Sequence, residues 1–406
     1  MAQTSTKSAA MFVLRRLRAA GHQALLAGGC VRDMLLGVRS ADYDVATDAT
    51  PQQVRRLFRH VLLVGAKFGV AMVIHRGEKV EVTTFRSDSA TGDGRRPDAV
   101  AFTSAARDAR RRDFTINGLF YDPASRRVID YVGGRGDLKK RIIRTIGSPQ
   151  RRFSEDYLRM IRAVRFAVRF DFAITPPTVR AIRRLAPNIR QISGERIFDE
   201  MSKMLSRPSA GKALEMLDRC GLAREVLPEL FELPGIWDLA RSTVGDVAHR
   251  GDPVLSLAAL LGCLPPAEIA AILRRWGASN ALRTALCWIA DHLHFWPQAA
   301  ELSLAQFKRL LANPQFERLR RLWKFLEQRA TGKTACAAKI ARRVRSIPPD
   351  SIAPRPLLTG RDLKGLGFRQ GPQLGRALED IYEAQLNEQI ITRAGALAMA
   401  RQMLLP

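Results

Sequence analysis

From Pro149 onward the apolar residues of this chain recur with a period of about 3.6 positions, and arginine fills the face between them. SEDYLRMIRAVRFAVRF (154–170), PPTVRAIRRLAPNI (176–189) and GERIFDEMSKMLS (194–206) all follow the pattern. Strands need alternation, so this spacing commits the C-terminal majority of the chain to helices. Before Pro149 the texture is different. HQALLAGG, DYDVAT, HVLLVG, GVAMVIHRG, KVEVTTFRS and RVIDYVGG are short β-branched runs bounded by turn residues. They read as strands of a mixed sheet, with helices at about Met11–Ala20, Cys30–Leu36 and Pro51–Phe58. The expected class is α+β: an N-terminal head with a five-stranded mixed sheet, then an all-helical neck, body and tail. The expected boundaries are 1–150, 151–208, 209–345 and 346–406, the last set off by the proline-rich RSIPPDSIAPRPLL (345–358).

Charge narrows the partners. The chain has 66 Lys+Arg against 39 Asp+Glu, a net charge of +27, which calls for a polyanion. Nucleic acid is favoured over a membrane surface, because the arginines recur inside motifs and no amphipathic anchor stands out. The longest apolar run, around Val254 to Leu264, is too short to span a bilayer, and the N-terminus lacks the apolar stretch of a signal peptide. A cytoplasmic location is expected. Five scattered cysteines support neither a disulfide framework nor a zinc site.

Against this basic background, AGGCVRDMLLGVRSADYDVAT (27–47) keeps Asp42 and Asp44 side by side. Positions two apart on a strand share a face, so two carboxylates would meet there and repel unless a cation sits between them. A hard divalent ion such as Mg²⁺ suits carboxylate oxygens completed by water and substrate phosphates. An Asx-rich turn after GVRSA is the competing reading. Gly28 and Gly29 favour the metal, since they let backbone amides approach a triphosphate at the start of a helix, with Arg32 in its first turn. Glu81, alternating with Val80 and Val82, is either a third carboxylate on a neighbouring strand or a solvated strand residue.

Together the Gly-Gly turn and D-x-D strand resemble the catalytic signature of polymerase-β-like nucleotidyltransferases. More narrowly, the chain resembles class II tRNA CCA-adding enzymes and their relatives, the bacterial poly(A) polymerases. In RRDFTIN (111–117), Asp113 can accept from sugar hydroxyls while Arg112 and Asn117 donate, and the resemblance assigns this motif to ribose and phosphates. DGRRPDAVAF (93–102), with Asp93, Arg95 and Arg96, resembles the family's loop for switching nucleotide. EDYLRMIRAVRF (155–166) matches its E-D-x-x-R motif. On a helix Asp156 and Arg159 would be i,i+3 neighbours, and a plain surface ion pair is the ordinary reading of that spacing. The resemblance instead implies that they select CTP and ATP by acting as a protein template. Arg162 and Arg165 continue the row toward the triphosphate, and ERIFDEMSKML (195–205) resembles the last neck motif, with Arg196 bracing the template helix.

The implied reaction is template-independent addition of CCA to the tRNA acceptor end from CTP and ATP, with Mg²⁺ and release of pyrophosphate. Poly(A) polymerase, or CC-only or A-only addition, is the alternative. In LLVGAKFGVAMV (62–73) the F-G-V form, with Ala66 and Gly69, resembles the CCA-adding branch, as does the tail from Leu357. LSLAALLGCLPP (255–266) lacks the histidine of an H-D phosphohydrolase site, so no hydrolase activity is expected. His292 and His294 diverge if helical and are read as core or surface residues. A non-catalytic RNA-binding protein of the same fold is the reading from another class. Oligomeric state is not legible.

Overall fold

The computed structural model describes residues 2–63, 68–88, 100–248 and 251–404. Ala66, Asp93, Arg95 and Arg96 lie outside them. The chain divides into two compact units, Met1–Pro234 with Arg275–Gly277, and Gly235–Arg274 with Ala278–Pro406.

The first unit opens with helix α1 (Ala2–Ala19), strand β1 (Ala24–Ala27), helix α2 (Gly29–Leu35), strand β2 (Asp44–Thr47) and helix α3 (Pro51–Leu57). Strands β3 (Val61–Leu62), β4 (Val70–His75) and β5 (Glu78–Thr84) follow, then a separate pair, β6 (Arg86–Asp88) and β7 (Val100–Phe102). Helix α4 (Ala105–Arg111) and a single 3-10 turn, Thr115–Asn117, lead to strands β8 (Leu119–Asp122) and β9 (Arg127–Asp130). The main sheet is mixed as expected but has seven strands rather than five, in the order β3-β4-β5-β2-β1-β8-β9. Six of the seven fall in the short runs read as strands, and the one that patterning does not mark is β8, which follows the RRDFTIN motif without alternation.

Only the β2–β5 pairing is parallel (Val45↔Val82) within this sheet. Strand β1, ALLA, is buried at every position, as a central strand covered on both faces must be. Leu25, Ala27, Ala46, Phe85, Ala105, Ala109 and Phe120 form a core beneath β1 and β2, with Phe85 edge-on to Phe120.

After helices α5 (Gly134–Lys140) and α6 (Pro149–Glu155), α7 (Leu158–Phe170) buries Met160, Ile161, Ala163, Val164 and Ala167 on one face. Its arginines Arg159, Arg162, Arg165 and Arg169 form a row along another. The helix stops at Asp171, which adopts a left-handed φ of 55°. A short parallel pair, Ile142–Ile143 with Ala173–Ile174, puts one two-residue strand beyond Pro149, where only helices are expected, and helices α8 (Pro176–Leu185) and α9 (Gly194–Leu205) follow.

In its described residues the second unit is helical. Phe316 stands edge-on to Phe307 and to Trp323 in its core. Leu358, Leu363, Phe368, Ala377, Ile381, Ala396 and Ala400 form a further cluster near the C-terminus. His292 ends a helix, with its ring against Trp288 and Nδ1 near that residue's carbonyl (2.8 Å), whereas His294 lies beyond the helix and is exposed. Among the described residues no helix is long and apolar enough to cross a membrane.

Candidate active site

Asp44 opens β2 opposite Ala27 of β1, and the parallel pairing of β2 with β5 brings Glu81 alongside it. The Asp44 carboxyl is pushed up to about 6 by burial and then by Glu81, with Asp42 adding to the rise and Arg112 opposing it. Asp42 stands before the strand rather than in it: it is exposed, and its carbonyl accepts from Ser40 Oγ at 2.8 Å. The pair is therefore brought together by the entry into β2, not by strand alternation. Burial and the Asp44 carboxylate together push the Cys30 thiol up to about 11, which keeps it protonated and unreactive.

Above Asp44, the chain turns at Gly28, whose φ is +71°. That conformation demands glycine, and a β-carbon there would also stand 2.6 Å from Arg112 Nη1 and push that side chain aside. Arg32, one turn into α2, is buried rather than presented to solvent. Its Nη1 donates to Asn117 Oδ1 at 2.5 Å and its Nε to Asp33 Oδ1 at 2.8 Å. Its guanidinium also lies 4.6 Å from the Phe170 ring centre and 5.2 Å from that of Phe166.

The RRDFTIN segment contributes a hydrogen-bonded knot. Asp113 Oδ1 accepts from Asn117 Nδ2 (2.9 Å) and from the amide of Phe114 (2.8 Å), and Oδ2 accepts from Arg162 Nη2 (2.8 Å) and Nε (3.1 Å). Burial alone would raise this carboxyl, but Arg162 and Asn117 hold it at about 2, fully ionised. Arg112 is oriented by Asp108 at 3.0 Å.

Asp156 is not on a helix. It sits in the break between α6 and α7 with extended backbone, where Oδ1 accepts from the amide of Leu158 (3.1 Å) and Oδ2 from Arg196 Nη2 (2.8 Å). Arg159 pairs with Glu155 at 2.8 Å, so the plain surface ion pair between Asp156 and Arg159, the competing reading of that spacing, does not form. Arg162 and Arg165 are both held by Glu200 of α9, at 3.2 and 2.5 Å, and Glu200 is almost wholly buried.

These groups line one cavity of about 500 Å³. Gly28, Gly29, Arg32, Asp44, Glu81, Arg112, Asp113, Asn117, Asp156, Arg159, Arg162 and Arg165 all reach it; Asp42 does not. Its lining holds eight arginines against four carboxylates, an arginine-rich wall suited to the phosphates of a nucleotide. Sequence reasoning missed Asp33, Asp108 and Glu200, the buried acids that hold these arginines, and Arg169, which lines the cavity and reaches Asp33 at 3.3 Å. For Glu200 a signal existed: it lies one helical turn after Arg196 within ERIFDEM.

Among the described residues no group of three or more His, Cys, Asp or Glu side chains forms a ready metal cage. The donor set still fits a hard divalent ion. Such ions are commonly held by one or two carboxylates with substrate phosphates and water, and the crowding that raises Asp44 is what a bound cation would relieve.

A mixed sheet with carboxylates at the foot of an arginine-walled, triphosphate-sized cavity defines a nucleotidyltransferase. Residues 24–144 match the family described as Poly A polymerase head domain, and residues 171–233 match the family described as probable RNA and SrmB-binding site of polymerase A. A CCA-adding enzyme of Geobacillus stearothermophilus is 34% identical over 406 aligned positions, covering 94% of this chain and 93% of that one. Poly(A) polymerase I of Salmonella typhimurium is 43% identical, but over 54% of this chain and 50% of its own length. The crystal structure of the Bacillus stearothermophilus CCA-adding enzyme in complex with CTP superposes with a TM-score of 0.76 at 31% identity, covering 97% of both chains. The chain belongs to the CCA-adding enzyme family of tRNA nucleotidyltransferases.

Proposed function

We propose that this protein completes tRNA by adding C, C and A to the 3′ end from CTP and ATP, without a nucleic-acid template and with release of pyrophosphate. The observation that carries this reading is the unfilled hydrogen-bonding capacity of Asp156 and Arg159 in the cavity wall. Each Asp156 oxygen accepts one bond and retains capacity for another. Arg159 has both Nη1 hydrogens engaged, by Glu155 Oε2 and the Arg152 carbonyl, leaving Nε and Nη2. An acceptor beside a two-donor edge suits cytosine and adenine, each of which pairs an exocyclic amino group with ring acceptors. Uracil and guanine present a carbonyl and a ring N–H at those places, and so meet like with like.

Gly29 offers its backbone amide to the triphosphate, the Gly28 amide being taken by the Leu119 carbonyl at 2.9 Å, Arg162 and Arg165 offer charge, and Asn117, held in place by Asp113, faces the ribose. Asp42 and Asp44, with Glu81 beside them, would hold the divalent ion, Mg²⁺ by the all-oxygen chemistry of the set. When bound, that ion supplies neutralisation of the leaving pyrophosphate and activation of the attacking 3′-hydroxyl. The rigid arginine network positions the α-phosphate for in-line attack. The net charge of +27 supports a sequence-independent grip on tRNA phosphates that weakens as salt rises. In this reading head, neck, body and tail are 1–150, 151–208, 209–345 and 346–406, the tail meets the tRNA, Asp93, Arg95 and Arg96 assist the change from CTP to ATP, and the enzyme works in the cytoplasm.

The test is incubation of the protein and Mg²⁺ with a tRNA transcript lacking CCA, offered CTP, ATP or both, with products resolved to one nucleotide. Growth by two residues with CTP and three with both, then arrest, is the expected result. The Salmonella match favours one competing reading, and a long ladder with ATP alone would establish poly(A) synthesis instead.

A further inference from the structure

We infer that Glu155, set in place by Arg152, is a positioning residue for nucleotide selection: it fixes the rotation of the Arg159 fork from behind, without touching the nucleotide. The inference rests on the base-reading role proposed above for Asp156 and Arg159.

Glu155 does not line the cavity. It closes α6, and its Oε2 accepts from Arg159 Nη1 and from Arg152 Nη1, both at 2.8 Å. Arg159 Nη1 has two hydrogens, and the second goes to the carbonyl of Arg152 at 2.9 Å. One corner of the guanidinium is thereby fixed in two directions. The group is planar, so fixing that corner fixes the plane and decides whether Nε and Nη2 face a base as a two-donor edge or turn away from it.

Arg152 is itself anchored to backbone. Its Nε donates to the carbonyl of Ile146 (3.1 Å), its Nη1 to that of Arg111 (3.0 Å) and its Nη2 to that of Arg110 (2.6 Å). Two of those carbonyls belong to the last turn of α4, the helix end that favours a cation. The chain of contacts thus runs from the α4 terminus through Arg152 and Glu155 to Arg159, and each link is a charged hydrogen bond to a fixed partner.

The chemistry requires such a brace. An unrestrained arginine samples many rotamers, and a fork turned out of plane presents one donor instead of two. One donor does not separate cytosine from uracil, since both bear an O2 acceptor; the second donor, meeting N3 of cytosine but N3–H of uracil, does. Glu155 and Asp156 are consecutive, and their carboxylates divide the work. One holds the donor fork, and the other supplies the acceptor beside it.

The test uses the full-length protein and single-turnover addition to tRNA lacking CCA (CTP against UTP) and to tRNA ending in CC (ATP against GTP). Glu155→Ala is expected to lower both selectivity ratios, measured as kcat/KM, by about tenfold or more. The KM for tRNA should not change. Glu155→Gln keeps an acceptor in the same place and should recover most of the ratio. Arg152→Lys, which cannot span three carbonyls, should lower it again. Equal loss of rate with all four nucleotides would mean that Glu155 only supports the fold, and unchanged ratios would mean that Arg159 needs no brace; either overturns the inference. If Glu155→Ala does not fold, the Glu155→Gln and Arg152→Lys ratios decide. Failure of the wild-type protein to prefer CTP and ATP would overturn the base-reading role as well, whereas selective wild type with equally selective variants removes the brace alone.

Discussion

Arg196 of α9 donates to Asp156 Oδ2 at 2.8 Å across 40 positions of sequence. The carboxylate proposed to read the base is therefore oriented by a helix that contributes no lining residue to the cavity. Arg196→Ala should raise KM for CTP and for ATP by roughly tenfold, the value of one charged hydrogen bond. Arg196→Lys should restore part of it. Unchanged KM values in steady-state addition would show that Asp156 is held well enough by the Leu158 amide.

Replacing both Asp42 and Asp44 by Ala should abolish nucleotidyl transfer while leaving tRNA binding, measured by filter retention or anisotropy, almost intact. The single change Asp44→Asn should lose transfer without loss of thermal stability, because burial and like charge already disfavour the ionised carboxylate in the metal-free protein. Surviving transfer in the double variant would refute the metal assignment.

Glu200 is buried and is the shared partner of Arg162 and Arg165. Glu200→Ala leaves those guanidinium groups without it and should cost about 3–5 kcal/mol in urea unfolding. Glu200→Gln should cost less, since its carbonyl can still accept from one arginine. A loss below about 1 kcal/mol for the alanine variant would mean that the arginines find water instead.

Acid should loosen the hold of Asp113 on Arg162 of α7. Its folded carboxyl lies at about 2, below the unfolded value near 3.9. A carboxyl depressed on folding contributes stability that is complete well above the unfolded value and lost as pH falls toward the folded one. On the order of 2 kcal/mol should therefore disappear between about pH 5 and pH 2. Denaturation curves across that window should flatten in Asp113→Asn; an unchanged slope would assign the acid lability to other groups.

Much of this was legible in the chain. The seven-stranded sheet does end before Pro149 and helices dominate after it, and the Gly-Gly turn, Asp44, RRDFTIN and the arginine row of α7 do converge on one cavity. The helical placement of Asp156 failed for a local reason. Its side chain caps the Leu158 amide, an alternative that aspartate offers the backbone at a helix boundary and that apolar periodicity cannot register. Asp33, Asp108 and Glu200 escaped for a different one. A lone acid in sequence does not name its partner, and Asp33 meets Arg169 at a separation of 136 positions. Strand β8, LFYD, carries no alternation for the pattern to mark.

The break at Asp156 has a further consequence for how selectivity can be inherited. The two side chains proposed to read the base stand on one short stretch, but their supports lie elsewhere: Arg196 on α9, and the carbonyls of Arg110, Arg111 and Ile146 before Pro149. Transplanting residues 155–166 alone into a related polymerase would move the letters of the code without the grammar that orders them. Nucleotide preference in this architecture should drift through those distant supports, and two relatives with the same E-D-x-x-R stretch need not read the same base.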